Sequence, residues 1–397
     1  MLKLPIYLDN HATTPVDPRV LEEMIPFLKD DFGNAASKSH EFGWRAKHAV
    51  DNARVKIAML VNAEPHEIVF TSGATESNNL AIKGAAEFYR SKGNKIITSP
   101  TEHKSVLDVC KSLSKWGYEI VYLNVDKYGL VDINELADRI DDNTILVSIM
   151  TANNEIGTIQ PINKIGEICK ERKVLFHTDA AQVAGKVPVD VKEMNTDLMS
   201  LSAHKMYGPK GIGALYIRSK SPRVSLSPQI DGGGHERGFR SGTLNVPAIA
   251  GFGRACEIAQ KEMDGEGKRI AELRDKLQTG ITTKLDEVYL NGHPEKRLPN
   301  NLNLAFSYAD ADSLMTSMKE IAVSSGSACS SEEVEPSYVL KAIGLSNDLA
   351  HCSVRFGLGR FNTEEEIDYT INKVVEKVKE LRDLSPVYKL AKVEHKL

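Results

Sequence analysis

The chain has 397 residues, 26% of them charged and 41% hydrophobic, enough for a large core and, by length, about two to three domains. Fifty lysines and arginines against 54 acidic residues leave a formal charge of −4, which excludes a broad basic face for non-specific nucleic-acid binding and leaves only a local basic patch open. No run approaches the roughly 18 to 20 apolar residues of a membrane helix, and MLKLPIYLDNHATTP meets Asp9 and His11 before a signal-peptide core forms, so the expectation is a cytoplasmic protein without membrane or direct nucleic-acid contacts.

From about residue 65 to 220, short apolar runs alternate with helix-length segments. The runs are EIVFTSG, KIITSP, YEIVYLNV, TILVSIMTA, VLFHTDA, DLMSLSA and GALYIR. Seven such strands predict an α/β fold around a mostly parallel seven-stranded sheet covered by helices, with catalytic groups collected beyond the strand ends. After Pro247 the pattern changes to long amphipathic helices (AIAGFGRACEIAQKEM, KRIAELRDKLQTGITTKL), a strand NNLNLAF, a small-residue loop and a heptad-like helix near EEEIDYTINKVVEKVKELRDL. This predicts a large domain over residues 15–260 and a smaller α+β domain from 1–14 plus 261–397. The last dozen residues read as a loosely tethered tail of the kind that docks partners.

Within the strand-rich part, EIVFTSGATESNNLAI reads as strand, glycine turn and helix start. Gly73, Ala74 and Thr75 put small residues at a helix N-terminus, where free amides favour a phosphate, although Thr75-Glu76 also suits plain capping. His103 follows the strand KIITS, where a ring can stack on a planar ligand and exchange protons, or simply be structural. In VLFHTDAAQ, Asp179 directly follows an apolar strand, with Gln182 three residues on; a carboxylate there suits a pyridinium nitrogen or a helix cap. SAHKMYGPKG places Ser202, His204 and Lys205 at a strand end, the lysine as a Schiff-base former and the other two as phosphate donors.

The five cysteines, Cys110, Cys169, Cys256, Cys329 and Cys352, are odd in number, scattered and without a CxxC pair. They argue against a disulfide framework or a zinc site, and no metal site is expected. Cys110, Cys169 and Cys256 lie in helical patterns and read as core filler. Cys329 lies in SSGSACSS, eight residues with no bulky side chain, which predicts a mobile loop over about 324–336 able to carry a reactive thiol from a crevice to another protein. In AHCSVRFGLGRF, Arg355 sits in a strand-like run that needs a partner for its charge; a substrate carboxylate serves, with Asn154 of MTANNEIGT as second donor.

SGATESNN, EHKS, NNEIG, HTDAAQ, SAHKMYGPKG, RSGTLN, SSGSAC and SVRFGLGRF together resemble the cysteine desulfurases of the IscS/NifS type, over nearly the whole chain. The resemblance implies the pyridoxal-phosphate (PLP)-dependent transferase fold type I and conversion of L-cysteine to L-alanine with sulfur held on Cys329 as a persulfide. It implies that Lys205 forms the Schiff base, that Asp179 pairs with the ring nitrogen, Gln182 with the ring hydroxyl, and that His103 stacks on the ring. Ala74, Thr75, Ser202 and His204 then bind the phosphate, completed by Thr243 of the other subunit of a homodimer, while Asn154 and Arg355 take the substrate carboxylate. The SSGSAC form and the LRDLSPVYKLAK stretch are similar to those that serve iron–sulfur cluster assembly, so an iron–sulfur scaffold and other sulfur acceptors, including tRNA-thiolating enzymes, are the implied partners; Cys329 is the group that would meet a cluster on the scaffold. Ala35, where proline is common, and the acidic Glu332 and Glu333 depart from the pattern and weaken the inference of handover to a given partner. An aminotransferase, a selenocysteine lyase and a non-catalytic assembly protein are the competing readings.

Overall fold

A computed structural model describes residues 2–325 and 336–395. Its centre is a seven-stranded sheet in the order Ile68–Thr71, Gly213–Ile217, Leu198–Ser202, Leu175–Asp179, Thr144–Ser148, Lys95–Thr98, Glu119–Tyr122. Only Gly213–Ile217 runs antiparallel to its two neighbours; the other pairings are parallel. These are the seven apolar runs of the sequence.

The strands are buried along nearly their whole length because helices cover both faces, which is why they read as continuous apolar runs. Period-two alternation divides their side chains. Ile68, Phe70, Ile97, Val147 and Phe176 face a core shared with the helices Glu41–Leu60 and Ile162–Arg172. Val69, Ile96, Leu146 and Leu215 face the other side, against Ala74–Phe88 and Lys104–Ser114. Glu119–Tyr122 is the partly exposed edge.

A four-stranded sheet, ordered Ser324–Ser325, Ser353–Gly357, Asn301–Phe306, Val288–Leu290, is antiparallel throughout. It packs with the helix Glu364–Leu384 around a separate core containing Leu302, Phe306, Phe356 and Val374, joined by Ile6 and Leu8 from the chain start. Ile6–Tyr7 pairs in parallel with Ile321–Ala322.

Two expectations change. The two helical runs after Pro247 form one helix of 37 residues, Val246–Thr282, about 55 Å long at 1.5 Å per residue. Gly265 and Gly267 lie within it at a cost of roughly 1 kcal/mol each. Its first half is held in the main core through Ile249 and Phe252, its second in the smaller one through Leu273 and Leu277. The tail is helical over Pro386–His395 rather than loose. Tyr388 is buried there, its hydroxyl donating to Asp286 and its ring lying under the guanidinium of Arg382.

Candidate active site

Asp179 and Ser202 are the last residues of their strands, and the Gly73 turn, His103 and Asn154 follow three others. All therefore lie beyond the C-terminal ends of parallel strands, where the chain departs into loops.

At one side of this rim, Gly73 caps the helix Ala74–Phe88 with φ +152°, a conformation that suits glycine. The first-turn amides of Ala74, Thr75 and Glu76 have no helical acceptor, a ready anion site. The Arg240 guanidinium pairs with Glu76 at 2.8 Å, and Glu76 accepts from the Ser72 amide. Ser202 is buried, and its hydroxyl has no hydrogen-bond partner among the described residues. The His204 ring meets the Thr13 hydroxyl at 3.1 Å. Burial, with Lys205, Lys210 and Lys186 nearby, pulls His204 down to about 4, so the ring is neutral at pH 7.

Asp179 is buried with one carboxylate oxygen accepting from the Ala181 amide and the other from the Asn78 side chain at 2.7 Å. The same Asn78 nitrogen donates to the Ser105 hydroxyl at 2.8 Å, and that hydroxyl lies 2.8 Å from Nδ1 of His103. Since Ser105 already receives a proton from Asn78, its own O–H is the one that reaches His103. The Ser105 amide donates to the same Nδ1, so a neutral ring carries its proton on Nε2. His103 opens to solvent, yet the protein packed around it, helped by Lys205 and opposed by Asp179, lowers its pKa. The chain of contacts Asp179–Asn78–Ser105–His103 brings the carboxylate and the ring into one neighbourhood.

The Lys205 amine donates to the carbonyls of His11 and of Ala12, the latter at 2.8 Å. Gln182, buried beside it, exchanges hydrogen bonds with His11: its amide nitrogen donates to the His11 carbonyl, and its oxygen meets His11 Nδ1, both at 3.0 Å. Arg355 is buried and pairs with Asp9 at 2.8 Å while donating to the Asn154 carbonyl at 3.0 Å. Its Nε, and the side-chain oxygen of Asn154, are buried without a partner among the described residues.

The class-V aminotransferase family matches residues 6–370 of this sequence. The cysteine desulfurase IscS of Anaeromyxobacter sp. strain Fw109-5 is 58% identical over 391 residues, covering 98% of this chain and 96% of that protein. The chain belongs to this family, among the IscS/NifS-type cysteine desulfurases. IscS of Klebsiella pneumoniae strain 342 is also 58% identical, over 98% of this chain and 97% of its own. A solved NifS-like protein superposes with a TM-score of 0.88 at 41% identity, over 94% of this chain and 99% of that one. SspA, solved in complex with cysteine, gives 0.79 at 39% identity, over 90% and 100%.

Class-V enzymes of this type carry pyridoxal phosphate, and the residues fit it. The unpartnered Ser202 hydroxyl and the free amides after Gly73 suit a phosphate, the fixed Asp179 carboxylate suits a pyridinium, and Lys205 ends the short turn Ala203–Lys205 that follows Ser202. The Gly73 turn is backed by Gly213, where a Cβ would come within 2.6 Å of the Gly73 Cα, so two glycines shape this wall.

Of the sequence-predicted residues, Ala74, Thr75, His103, Asp179, Gln182, Ser202, His204, Lys205, Asn154 and Arg355 gather at this rim. Thr243 is exposed and makes no hydrogen bond to Thr75, Ser202 or His204 among the described residues. Cys329 lies outside the described residues. Sequence reasoning missed Asn78, Ser105 and Asp9, and it missed the fully buried Glu102, whose pKa burial and Asp179 raise. It missed His11 as well, although an Asp-Asn-His run beside an apolar strand was a signal that could have found it.

Proposed function

We propose that the protein is a PLP-dependent cysteine desulfurase that converts L-cysteine to L-alanine and holds the released sulfur on Cys329 as a persulfide. The observation that carries this reading is the Asn78 side chain joining the Asp179 carboxylate to the Ser105 hydroxyl that meets His103, in a chain 58% identical to enzymes named cysteine desulfurase. When bound, pyridoxal phosphate supplies an electron sink for bond changes next to the amino nitrogen.

Lys205 would hold the cofactor through its amine and would move the proton of the substrate α-carbon. Asp179, fixed by Ala181 and Asn78, would face the ring nitrogen, and Gln182 would donate to the ring hydroxyl. His103, its Nδ1 occupied by Ser105, would stack on the ring. Ala74, Thr75, Ser202 and His204 would hold the phosphate, and the Arg355 fork with Asn154 would orient the substrate carboxylate. The Cys329 thiolate attacks the substrate sulfur; an S–S bond forms as the C–S bond breaks, and the carbon fragment keeps the electron pair, is protonated and leaves as alanine.

Exposed Leu21, Ile25, Leu28, Phe32, Phe42 and Trp44, on the helices Pro18–Lys29 and Glu41–Leu60 and the segment between them, support a homodimer, in which the partner copy's Thr243 completes the phosphate site. Exposed Leu384, Val387 and Leu390 support docking of an iron–sulfur scaffold at the C-terminal helix, with tRNA-thiolating enzymes as further acceptors. No described helix is long and apolar enough to cross a membrane, and a cytoplasmic enzyme divided near residue 260 is the reading we favour. The test is alanine and sulfide release from L-cysteine by the holoenzyme, wild type beside Cys329→Ser, with a reductant present. Loss of both products in a variant that keeps the cofactor's visible band is expected; equal activity in the two proteins would sink the persulfide route.

A further inference from the structure

His11 is wholly buried and belongs to none of the roles above. Its ring state follows from its neighbours. Arg297, which can only donate, donates to the side-chain oxygen of Asn301 at 3.0 Å, and the Asn301 nitrogen donates to the Glu155 carbonyl at 3.1 Å. Both contacts assign the Asn301 amide, so it is the nitrogen that faces His11 Nε2 at 3.1 Å. Nε2 therefore accepts, and Nδ1 carries the proton and donates to the Gln182 oxygen. Lys186 donates to the same oxygen at 3.3 Å, and the Gln182 nitrogen donates to the His11 carbonyl. Three contacts demand one orientation of the Gln182 amide, with its carbonyl turned to His11 and Lys186 and one N–H left without an acceptor among the described residues.

We propose that His11 is a positioning residue that fixes the Gln182 amide so that an N–H, and not the carbonyl, is offered to the ring hydroxyl of the cofactor. The inference rests on the functional reading above. The charged groups facing His11 are Arg355, Lys205 and Lys186, the last with its own pKa lowered by burial to about 7; burial first, and then these groups, keep the ring neutral, as its acceptor role at Nε2 requires. An N–H donor favours the ionised form of an acidic hydroxyl, whereas a carbonyl favours the protonated form. Releasing the amide therefore raises the pH at which the holoenzyme's visible band titrates.

The experiment compares wild type, His11→Ala and His11→Asn as holoenzymes, titrating the visible band with pH, and reads the ¹⁵N shifts of the His11 ring in wild type with and without cofactor. His11→Ala should move the midpoint up by about one pH unit, tenfold in the proton equilibrium. His11→Asn, whose amide puts an N–H where Nδ1 stands, should keep the wild-type midpoint, and the wild-type ring should read as neutral Nδ1–H. An unmoved midpoint in His11→Ala, or an Nε2–H ring, overturns the proposal. Should His11→Ala not fold, Asn301→Ser removes the donor that sets the tautomer, and an unmoved midpoint there overturns it equally. Wild type that takes up pyridoxal phosphate without any visible band removes the functional reading and this inference together, whereas a normal wild-type band with unmoved variants removes this inference alone.

Discussion

Replacing Arg355 by lysine keeps a cation at the strand Ser353–Gly357 but removes the fork. In the structure the guanidinium spends one terminal nitrogen on Asp9 and the other on the Asn154 carbonyl, and holds Nε buried without a partner. An ammonium on a shorter reach cannot serve Asp9, Asn154 and a substrate carboxylate together. One charge-assisted hydrogen bond contributes about 1.5–3 kcal/mol, and 1.36 kcal/mol is tenfold, so binding of L-cysteine should weaken roughly 10- to 100-fold. The carboxylate takes no part in the bond changes, so ground and transition states lose equally, and kcat should stay within about threefold while KM rises. Lysine is preferable to alanine, which would strand the Asp9 charge and cost stability of its own. Steady-state alanine release against L-cysteine concentration measures both constants. An unchanged KM with a depressed kcat would refute the assignment of Arg355 to the carboxylate.

Ser105→Ala removes the hydroxyl that occupies Nδ1 of His103 and severs the link through Asn78 to Asp179; the His103 pKa, read by NMR, should rise toward its ordinary value, and Ser105→Thr should restore it. His177 is buried between the hydroxyls of Ser148 and Ser200, and burial holds it at about 4. The unfolded chain protonates this ring near 6.5 while the native one does not, so its stabilising effect is complete above pH 6.5 and is lost as pH falls to about 4. At 1.36 kcal/mol per unit the loss is about 3 kcal/mol, and His177→Gln should flatten the fall in urea midpoint over that window. Gly213→Ala forces a Cβ to within 2.6 Å of Gly73 and 2.5 Å of the Leu201 carbonyl; overpacking of about 1–3 kcal/mol is expected, with weaker uptake of pyridoxal phosphate in an equilibrium titration.

The central sheet was legible because strands covered on both faces must be apolar at every position, and the strand ends were legible because polar residues there break the run abruptly, as in LFHTDAA and LMSLSAHK. The long helix was not, because Gly265 and Gly267 look like a break when only local propensity is weighed; two cores gripping the same helix override that cost. The helical tail was missed for a similar reason: the Tyr388 hydroxyl is held by Asp286, a partner 102 residues away in sequence. The residues that take part in the chemistry were readable from their chemical type. Those that hold them in place were not, since an asparagine such as Asn78 or a serine such as Ser105 looks like any other on a helix.

The turn over residues 9–14 shows why such positions matter. Ile6 and Leu8 just before it are packed in the smaller core, yet Asp9 pairs with Arg355, the His11 and Ala12 carbonyls hold Lys205, Thr13 meets His204, and Thr14 receives the Tyr207 amide. Lys205, His204 and Gln182 follow strands of the main sheet, while Arg355 lies in the four-stranded one. A single turn thus joins groups from both cores, and it is fixed by Asn10, which donates to the Gly357 carbonyl, and by His11 through Asn301. Neither core alone dictates the distance between a cofactor-holding lysine and a carboxylate-binding arginine; a rigid connector does. Because the contacts on both sides run mostly through backbone carbonyls and short side chains, the turn has little freedom to adjust. A displacement of either core is then transmitted to Lys205 and Arg355 together instead of being absorbed between them.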